Sequence, residues 1–187
     1  MDKKSFRKIC LERLKRRKVG NRYKLDKLVL SQLLKILKRE NANVIMLYVP
    51  LKIEVNINSL INALRKEKKI VLVPFMEGES FSLVKYRLPL NVKQFGVKEP
   101  RNINKYKRKI DLAIVPVIGI DSRVRRVGFG KGFYDRFFGM NRENIGKILF
   151  VSREYCVSSE VITDDYDVKG NAYITPRKNF LQRKLRI

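Results

Sequence analysis

Short apolar runs alternate along this chain with segments of helical periodicity, and this alternation limits the folds that the chain can adopt. Proline or polar turn residues close most of the apolar runs, a pattern typical of strands buried in a sheet. Strands are predicted at residues 44–49, 70–75, 81–86, 111–117, 148–152 and 172–175. Helices are predicted at residues 3–18, 25–39 and 58–68, with a break at Gly20 and Asn21 and with Asn58 as a cap.

Because strands that are separated by helices usually pair in parallel, this order predicts an α/β fold. We expect a three-layer, Rossmann-like, largely parallel sheet flanked by helices. A length of 187 residues suits a single domain, so we treat residues 1–187 as one unit with a basic tail at residues 177–187. Ligands of such sheets bind beyond the carboxyl ends of the strands, which directs attention to the segments that leave those ends.

The charge balance and the missing histidine restrict the chemistry. The chain has 43 Lys and Arg against 18 Asp and Glu, a formal net charge of +25, and no histidine. Such a charge attracts polyanions, or it marks a solvated basic surface. The lack of histidine excludes serine–histidine hydrolases and most zinc enzymes. Catalysis must therefore depend on carboxylates, lysine, arginine, tyrosine, backbone amides or a bound metal.

Cysteine content and the length of the apolar runs indicate the cellular location of the protein. Cys10 and Cys156 are the two cysteines, and they predict neither a disulfide framework nor a zinc site. No apolar run approaches the roughly 20 residues that a membrane span needs, and the N-terminus lacks the apolar region of a signal peptide. We expect a cytoplasmic protein with no membrane contact and no obligate protein partner.

Residues 126–136, with the sequence RVGFGKGFYDR, form the richest motif. Gly128, Gly130 and Gly132 allow sharp turns and close approach to a ligand, and Lys131 lies among them. A helix is predicted to begin at Phe133, so its N-terminal amides would point at the loop. Glycine-rich backbone, a lysine and a helix N-terminus together predict a phosphate site, although the spacing matches neither the P-loop nor the dinucleotide motif. The alternative is a hairpin that only turns the chain.

The segment GFGKGFYDR resembles the GxGxGYYD signature of the 5-formyltetrahydrofolate cyclo-ligase family. Weaker similarities follow in the same order from about residue 3 to residue 176. They lie at residues 3–7, 48–55, 95–100, 111–116 and 167–169, with Thr175. The resemblance implies an enzyme that uses ATP and Mg²⁺ to convert 5-formyltetrahydrofolate into 5,10-methenyltetrahydrofolate, ADP and phosphate. The implied route passes through a phosphorylated formyl intermediate.

The resemblance also implies roles for individual residues. Lys131 and Asp135 would be catalytic, and Asp135 and Asp167 would hold Mg²⁺. The implied ATP-binding residues are Lys3, Lys4, Arg7, Arg126, Val127, Gly128, Phe129, Gly130, Lys131, Gly132, Phe133 and Tyr134. The implied folate-binding residues are Val49, Glu54, Phe129, Gly130, Lys131, Gly132 and Phe133.

Some positions depart from the family pattern, and one alternative function is open. Val117 stands where the family usually has a glycine, Asn171 replaces an expected aspartate, and the usual glutamine is not recognisable near Arg153. These changes bear on the affinity for the substrate. The alternative function is a basic nucleic-acid-binding module on the same fold without cyclo-ligase activity. Its support is the net charge of +25, and no recognised nucleic-acid motif accompanies that charge.

Overall fold

A computed structural model describes residues 1–16, 19–92, 96, 98–101 and 104–181. The helices are α1 (Lys3–Arg16), α2 (Val19–Arg39), α3 (Asn58–Lys66) and α4 (Phe133–Asn141), with a 3-10 turn at Arg142–Asn144. The strands are β1 (Val44–Met46), β2 (Ile70–Glu77), β3 (Ser80–Lys85), β4 (Leu90–Val92), β5 (Lys98–Pro100), β6 (Ile110–Pro116), β7 (Gly119–Ile120), β8 (Arg126–Val127), β9 (Ile145–Val151), β10 (Ala172–Ile174) and β11 (Phe180–Leu181). Among the described helices, none is long and apolar enough to cross a membrane.

Seven strands form one sheet in the order β11-β10-β9-β6-β1-β2-β3. The inner strands β10, β9, β6, β1 and β2 run parallel, whereas β3 and β11 join the two edges antiparallel. Two short antiparallel ladders, β4 with β5 and β7 with β8, lie outside this sheet. The predicted α/β fold with a largely parallel sheet is confirmed, and each predicted strand has a counterpart.

Alternating residues of the central strands fill the two faces of the sheet. Ile45 of β1 packs in one cluster with Leu33 of α2 and Ile61 of α3. The next residue, Met46, packs in a second cluster with residues that include Phe138 of α4. Because neighbouring side chains of a strand point to opposite faces, the sheet is covered by helices on both sides. This arrangement gives the three layers that the sequence predicts.

The first helix packs outside this sandwich. Phe6, Cys10 and Leu14 lie one turn apart on α1, and they form a third buried cluster with Ile118 and Val127. These two partners lie just beyond β6 and in β8, in the segments that leave the carboxyl edge of the sheet. The spacing of four residues places the three side chains on one face of α1, which fixes the helix against that edge.

The structure contradicts one expectation about the cysteines. Cys10 of α1 is disulfide-bonded to Cys156, and their Cα atoms lie 6.0 Å apart across a sequence separation of 146 residues. The expectation was wrong because the pairing depends on how α1 packs against the segment after β9. Two cysteines at such a separation carry no spacing pattern that would reveal this contact.

Several predicted boundaries also differ. α2 begins at Val19, so Gly20 and Asn21 lie inside a helix rather than between two helices. Asn58 is the first residue of α3, and no side chain caps this helix. Residues 87–110, which lack a clear strand pattern, contain the ladder of β4 and β5. Of the predicted features, residues 17–18 of the first helix, Phe95 and residues 182–187 of the basic tail lie outside the described residues.

The packing of α2 generates a test of the core. Leu33 is fully buried, whereas its neighbour Leu34 is 42% exposed. Leu33→Ala should lower the free energy of unfolding by about 3 kcal/mol, because it removes buried methyl groups and leaves a cavity. Leu34→Ala makes the same chemical change on the solvent side and should cost less than about 1 kcal/mol. Urea unfolding measures both, and equal costs would contradict the assigned faces of α2.

Candidate active site

A cleft of about 310 Å³ opens at the carboxyl ends of β1 and β2. The segment after β1 forms one wall, and the loop between β8 and α4 forms another. Aromatic and aliphatic side chains dominate the lining, together with a few charged groups. The lining residues are Tyr48, Val49, Leu51, Glu54, Pro74, Met76, Phe81, Lys98, Arg126, Phe129, Gly130, Lys131, Gly132, Phe133 and Tyr134.

Each glycine of the loop lies at a position where another residue would be strained or would clash. Gly130 has φ +92° and Gly132 has φ +69°, values in the left-handed region that favours glycine. Gly132 immediately precedes Phe133, the first residue of α4. A Cβ atom on Gly128 would collide with the guanidinium group of Arg126. The predicted sharp turn into a helix is therefore present at this position, and the loop backbone lines the cleft.

Arg126 is a buried arginine at the base of the loop. Its Nη1 lies 3.4 Å from Oδ2 of Asp135, and its guanidinium carbon lies 4.8 Å from the centre of the Tyr134 ring. Its Nε donates to the carbonyl oxygen of Pro116 at 3.4 Å. These partners offset the cost of burying the charge, so Arg126 connects β6, the loop and α4.

Helix α1 contributes a cation to the same loop. Nε of Arg7 donates to the carbonyl oxygen of Gly128 at 2.7 Å. A Cβ atom on Gly130 would lie 3.6 Å from the Arg7 guanidinium carbon, which places this charge beside Gly130. Lys131 lines the cleft, and its carbonyl oxygen accepts a hydrogen bond from Nη2 of Arg136 at 2.7 Å. Three of the predicted phosphate-binding cations, Arg7, Arg126 and Lys131, therefore lie at one loop.

Lys3 and Lys4, the other two residues of α1 that were predicted to bind ATP, differ in their surroundings. Nζ of Lys3 lies 3.0 Å from Oδ2 of Asp164 and is also hydrogen-bonded to Asp167. Burial would lower the pKa of Lys3, but the hydrogen bonds to Asp167 and Asp164 raise it above its ordinary value. Lys4 is exposed, and within the described part of the chain no ion pair joins its ammonium group to the loop. The structure therefore brings Lys3, but not Lys4, to the predicted metal-binding carboxylates.

The two predicted metal ligands lie close together. Oδ1 of Asp135 accepts the backbone N–H of Val168 at 3.3 Å, and Val168 directly follows Asp167. Oδ2 of Asp167 accepts the backbone N–H of Asp164 at 2.8 Å. No group of three or more acidic, cysteine or histidine side chains suited to a metal occurs among the described residues. Two carboxylates nonetheless fit Mg²⁺, which commonly takes one or two carboxylates and completes its shell with substrate phosphates and water.

Glu54 lies in the cleft beyond the end of β1. Its Oε2 accepts a hydrogen bond from the backbone N–H of Leu51 at 2.9 Å. Burial raises the pKa of Glu54 to about 7, although that N–H and the charges of Arg126 and Arg153 favour the ionised form. A carboxyl group that titrates near neutrality in a cleft is a candidate partner for the N–H groups of a ligand.

A buried ion pair holds the segment that carries Glu54. Nε and Nη2 of Arg153 donate to the two carboxylate oxygens of Asp26 at 2.6 and 2.8 Å. Nη1 of Arg153 also donates to the carbonyl oxygen of Lys52 at 3.1 Å, and Asp26 accepts the backbone N–H of Asn56 at 3.2 Å. The pair thus joins α2 and the segment after β9 to both sides of Glu54. A bidentate pair of this kind fixes orientation as well as charge.

The other departures from the family pattern also have structural roles. Val117 is 5% exposed and belongs to the buried cluster that includes Phe138. Oδ1 of Asn171 accepts the backbone N–H of Ile148 at 2.8 Å, which ties the start of β10 to β9. Within the described part of the chain, neither residue is among those that line the main cleft.

Sequence reasoning missed several residues of the cleft. Tyr48, Pro74, Met76, Phe81 and Lys98 line it, although the patterns around them predicted only strands and turns. The position of Pro74 and Met76 two residues apart on β2 was the available signal, since such residues share a face. Burial raises the pKa of Tyr48 well above its usual value, with the charge of Glu54 adding to the effect, so this hydroxyl stays protonated at neutral pH.

A glycine-rich loop that runs into a helix beside an apolar cleft, at the carboxyl edge of a parallel sheet, defines a class of ligand-binding α/β enzymes. The family within this class follows from sequence comparison. A sequence model of the 5-formyltetrahydrofolate cyclo-ligase family matches residues 1–176. The chain therefore belongs to the 5-formyltetrahydrofolate cyclo-ligase family, which confirms the resemblance carried by the glycine-rich motif.

Individual relatives agree with this assignment. A probable 5-formyltetrahydrofolate cyclo-ligase of Schizosaccharomyces pombe is 29% identical over 145 residues, covering 68% of this chain and 71% of that protein. The 5-formyltetrahydrofolate cyclo-ligase of Mycoplasma genitalium is 28% identical over 153 residues, covering 79% and 83%. The NMR structure of 5,10-methenyltetrahydrofolate synthetase from Aquifex aeolicus is 28% identical, with a TM-score of 0.82 and coverage of 100% and 96%. The corresponding synthetase of Mycoplasma pneumoniae, at 20% identity and a TM-score of 0.74 over 94% and 99%, shares the fold.

The raised pKa of Glu54 predicts a pH-dependent stability. Its folded-state pKa of about 7 exceeds the ordinary value of 4.5. Between these values the folded protein keeps a proton that the unfolded chain releases, so stability falls as the pH rises through this window. Glu54→Gln should remove this loss. Urea unfolding should show the variant gaining stability relative to the wild type between about pH 5 and about pH 8.

The matched control is Glu143→Gln, the same chemical change at an exposed residue of the 3-10 turn after α4. Its difference from the wild type should stay constant over the same pH range. A constant difference for Glu54→Gln as well would contradict the raised pKa of this carboxyl group.

Proposed function

We propose that this chain catalyses the ATP- and Mg²⁺-dependent conversion of 5-formyltetrahydrofolate into 5,10-methenyltetrahydrofolate, ADP and phosphate. The observation that carries the proposal is the junction of two binding environments: the apolar cleft with Glu54 opens directly onto the glycine-rich loop before α4. A folate and the terminal phosphate of ATP can therefore meet at one edge of the sheet. Membership of the cyclo-ligase family supports the same reaction.

In this proposal ATP binds along the part of the glycine-rich loop that contacts Arg7. Backbone N–H groups near the start of α4 would face the phosphates, as expected at a helix N-terminus. Arg7 and Lys131 border the loop and would neutralise phosphate charge. Lys3 lies beside Asp167 and would reach the same phosphates once Mg²⁺ shares the carboxylate.

The folate would occupy the apolar cleft. Its pterin ring carries N–H groups that can donate to Glu54, and binding such donors favours the ionised carboxylate. Val49, Phe129 and Phe133 line the walls and would exclude water from the ring. A dry cleft also strengthens the field of Arg126 and Lys131 at the reacting atoms.

The metal site of the proposal consists of Asp135 and Asp167. Their oxygen atoms suit Mg²⁺, and when bound the ion would neutralise charge on the phosphates of ATP. Asp135 already lies near Arg126, at 3.4 Å from Nη1, so a cation is available to balance this carboxylate before the metal arrives.

The reaction requires alignment more than proton transfer by the protein. The formyl oxygen attacks the γ-phosphorus, an O–P bond forms, and the bond to ADP breaks. N10 then attacks the formyl carbon, the carbon–oxygen bond breaks, and phosphate leaves with the former formyl oxygen while N10 loses its proton. Positioning and stabilised charge supply most of the acceleration in phosphoryl transfer, and neither needs histidine.

The setting that we propose is the cytoplasm, which supplies ATP and magnesium, with residues 1–187 acting as one catalytic unit. The substrates are small anions, so the net charge of +25 would assist their capture at low salt. No protein partner is needed for this reaction. Nucleic-acid binding is the alternative use of the same charge, and the activity assay decides between the two.

The proposal predicts the behaviour of two variants in an assay that follows methenyltetrahydrofolate by its absorbance. Lys131→Met should lower kcat by about 100-fold or more, because it removes the positive charge that would stabilise the transferring phosphoryl group. Asp135→Asn should lower kcat by a similar factor, and added Mg²⁺ should restore part of the loss. Lys107→Met, on an exposed segment outside the cleft, is the matched control and should keep wild-type turnover.

Circular dichroism of each variant separates lost chemistry from lost folding. Near-normal turnover by both Lys131→Met and Asp135→Asn would contradict the assigned roles. Wild-type protein that forms no product with ATP, Mg²⁺ and substrate would contradict the proposed reaction. Steeply salt-dependent binding of RNA by such an inactive protein would favour the alternative.

A further inference from the structure

Lys98 lines the cleft and is exposed to solvent. It is the first residue of β5 and does not belong to the glycine-rich loop. In contrast, Tyr48 at the end of β1 is 2% exposed and lines the inner part of the same cavity. The lining of the cleft therefore ranges from the buried Tyr48 to exposed residues, which include Phe129 of the loop and Lys98 of β5.

The strand that carries Lys98 is fixed to the main sheet. The next residue, Glu99, is 2% exposed, and its Oε1 accepts the backbone N–H of Met76 at 2.9 Å. This bond ties β5 to β2, whose residue Met76 also lines the cleft. The backbone of Lys98 consequently has a defined position at the rim, while its long side chain can reach a ligand that leaves the cavity.

The charged residues that line the cleft have different surroundings. Glu54 is the only acidic residue among the lining residues of the described part of the chain. Arg126 is buried beside Asp135, and Lys131 belongs to the loop assigned to phosphate. Lys98 is the lining cation that belongs to neither group. Its position suits an anionic group of the ligand that occupies the cleft.

The substrate of the proposed function has such a group. 5-Formyltetrahydrofolate consists of a pterin, an apolar aminobenzoyl group and a glutamate that carries two carboxylates. If the pterin lies against Glu54, the aminobenzoyl group can cross the apolar walls and bring the carboxylates to the exposed side chain of Lys98. We propose that Lys98 binds a carboxylate of this glutamate and thereby makes the enzyme specific for substrates with an anionic tail. This inference rests on the proposed function and names a further specificity-determining residue for it.

The test compares two ligands that differ only in the tail. Calorimetry without ATP measures the dissociation constants of 5-formyltetrahydrofolate and of the amide of 5-formyltetrahydropteroate, which lacks the glutamate and carries no carboxylate. Lys98→Ala should weaken binding of the first about three- to fivefold, as expected for one partly exposed ion pair, and should leave the second unchanged. Lys98→Glu should weaken the first about tenfold because it adds repulsion, whereas Lys98→Arg should restore wild-type affinity.

Two controls separate this effect from bulk charge and from folding. Lys107→Ala removes the same charge from an exposed position outside the cleft and should alter neither affinity. In steady-state assays Lys98→Ala should raise KM for 5-formyltetrahydrofolate with kcat within about twofold of the wild type, since uniform binding is lost. Equal losses with both ligands, or no loss with either, would overturn the role of Lys98. Wild-type protein that binds both ligands but forms no product would overturn the proposed reaction alone.

Discussion

The arrangement of the site depends on the contacts made by the buried guanidinium group of Arg126. It reaches the carbonyl of Pro116 at the end of β6, the carboxylate of Asp135 in α4 and the face of Tyr134. It also favours the ionised form of Glu54, which faces the cleft from the other wall. A buried charge is stable only with such partners, so the loop, the helix and the sheet edge have to come together for any of them to persist.

The same constraint explains why the site contains so many distant segments. The parallel sheet brings the ends of β1, β2 and β6 to one edge, and the loop before α4 closes the gap between them. Helix α1 then packs across this edge, where Phe6 is buried and Arg7 bonds to Gly128. The first turns of the chain therefore complete the surface around the glycine-rich loop, where we propose that phosphate binds. The disulfide between Cys10 and Cys156 also joins α1 to this edge, through the segment that follows β9.

Local patterns predicted the parts of the fold that depend on local chemistry. Apolar runs such as residues 111–117 predicted the parallel strands, and the alternate glycines of residues 126–136 predicted a turn into a helix. Features that depend on packing between distant segments escaped prediction. The ion pair of Asp26 and Arg153 joins residues 127 positions apart, and the rim position of Lys98 depends on how β5 is tied to β2. Neither leaves a periodic signal in the sequence.

The transfer of the formyl oxygen to phosphate is the central step of the proposed chemistry, and isotope labelling tests it most directly. The substrate is prepared with ¹⁸O in the formyl group and incubated with the wild-type protein, ATP and Mg²⁺ until methenyltetrahydrofolate has formed. Mass spectrometry then locates the label. If the formyl oxygen attacks the γ-phosphorus, the released phosphate contains one ¹⁸O atom for each product molecule. Label in water, with unlabelled phosphate, would show that cyclisation bypasses phosphoryl transfer and would contradict the mechanism.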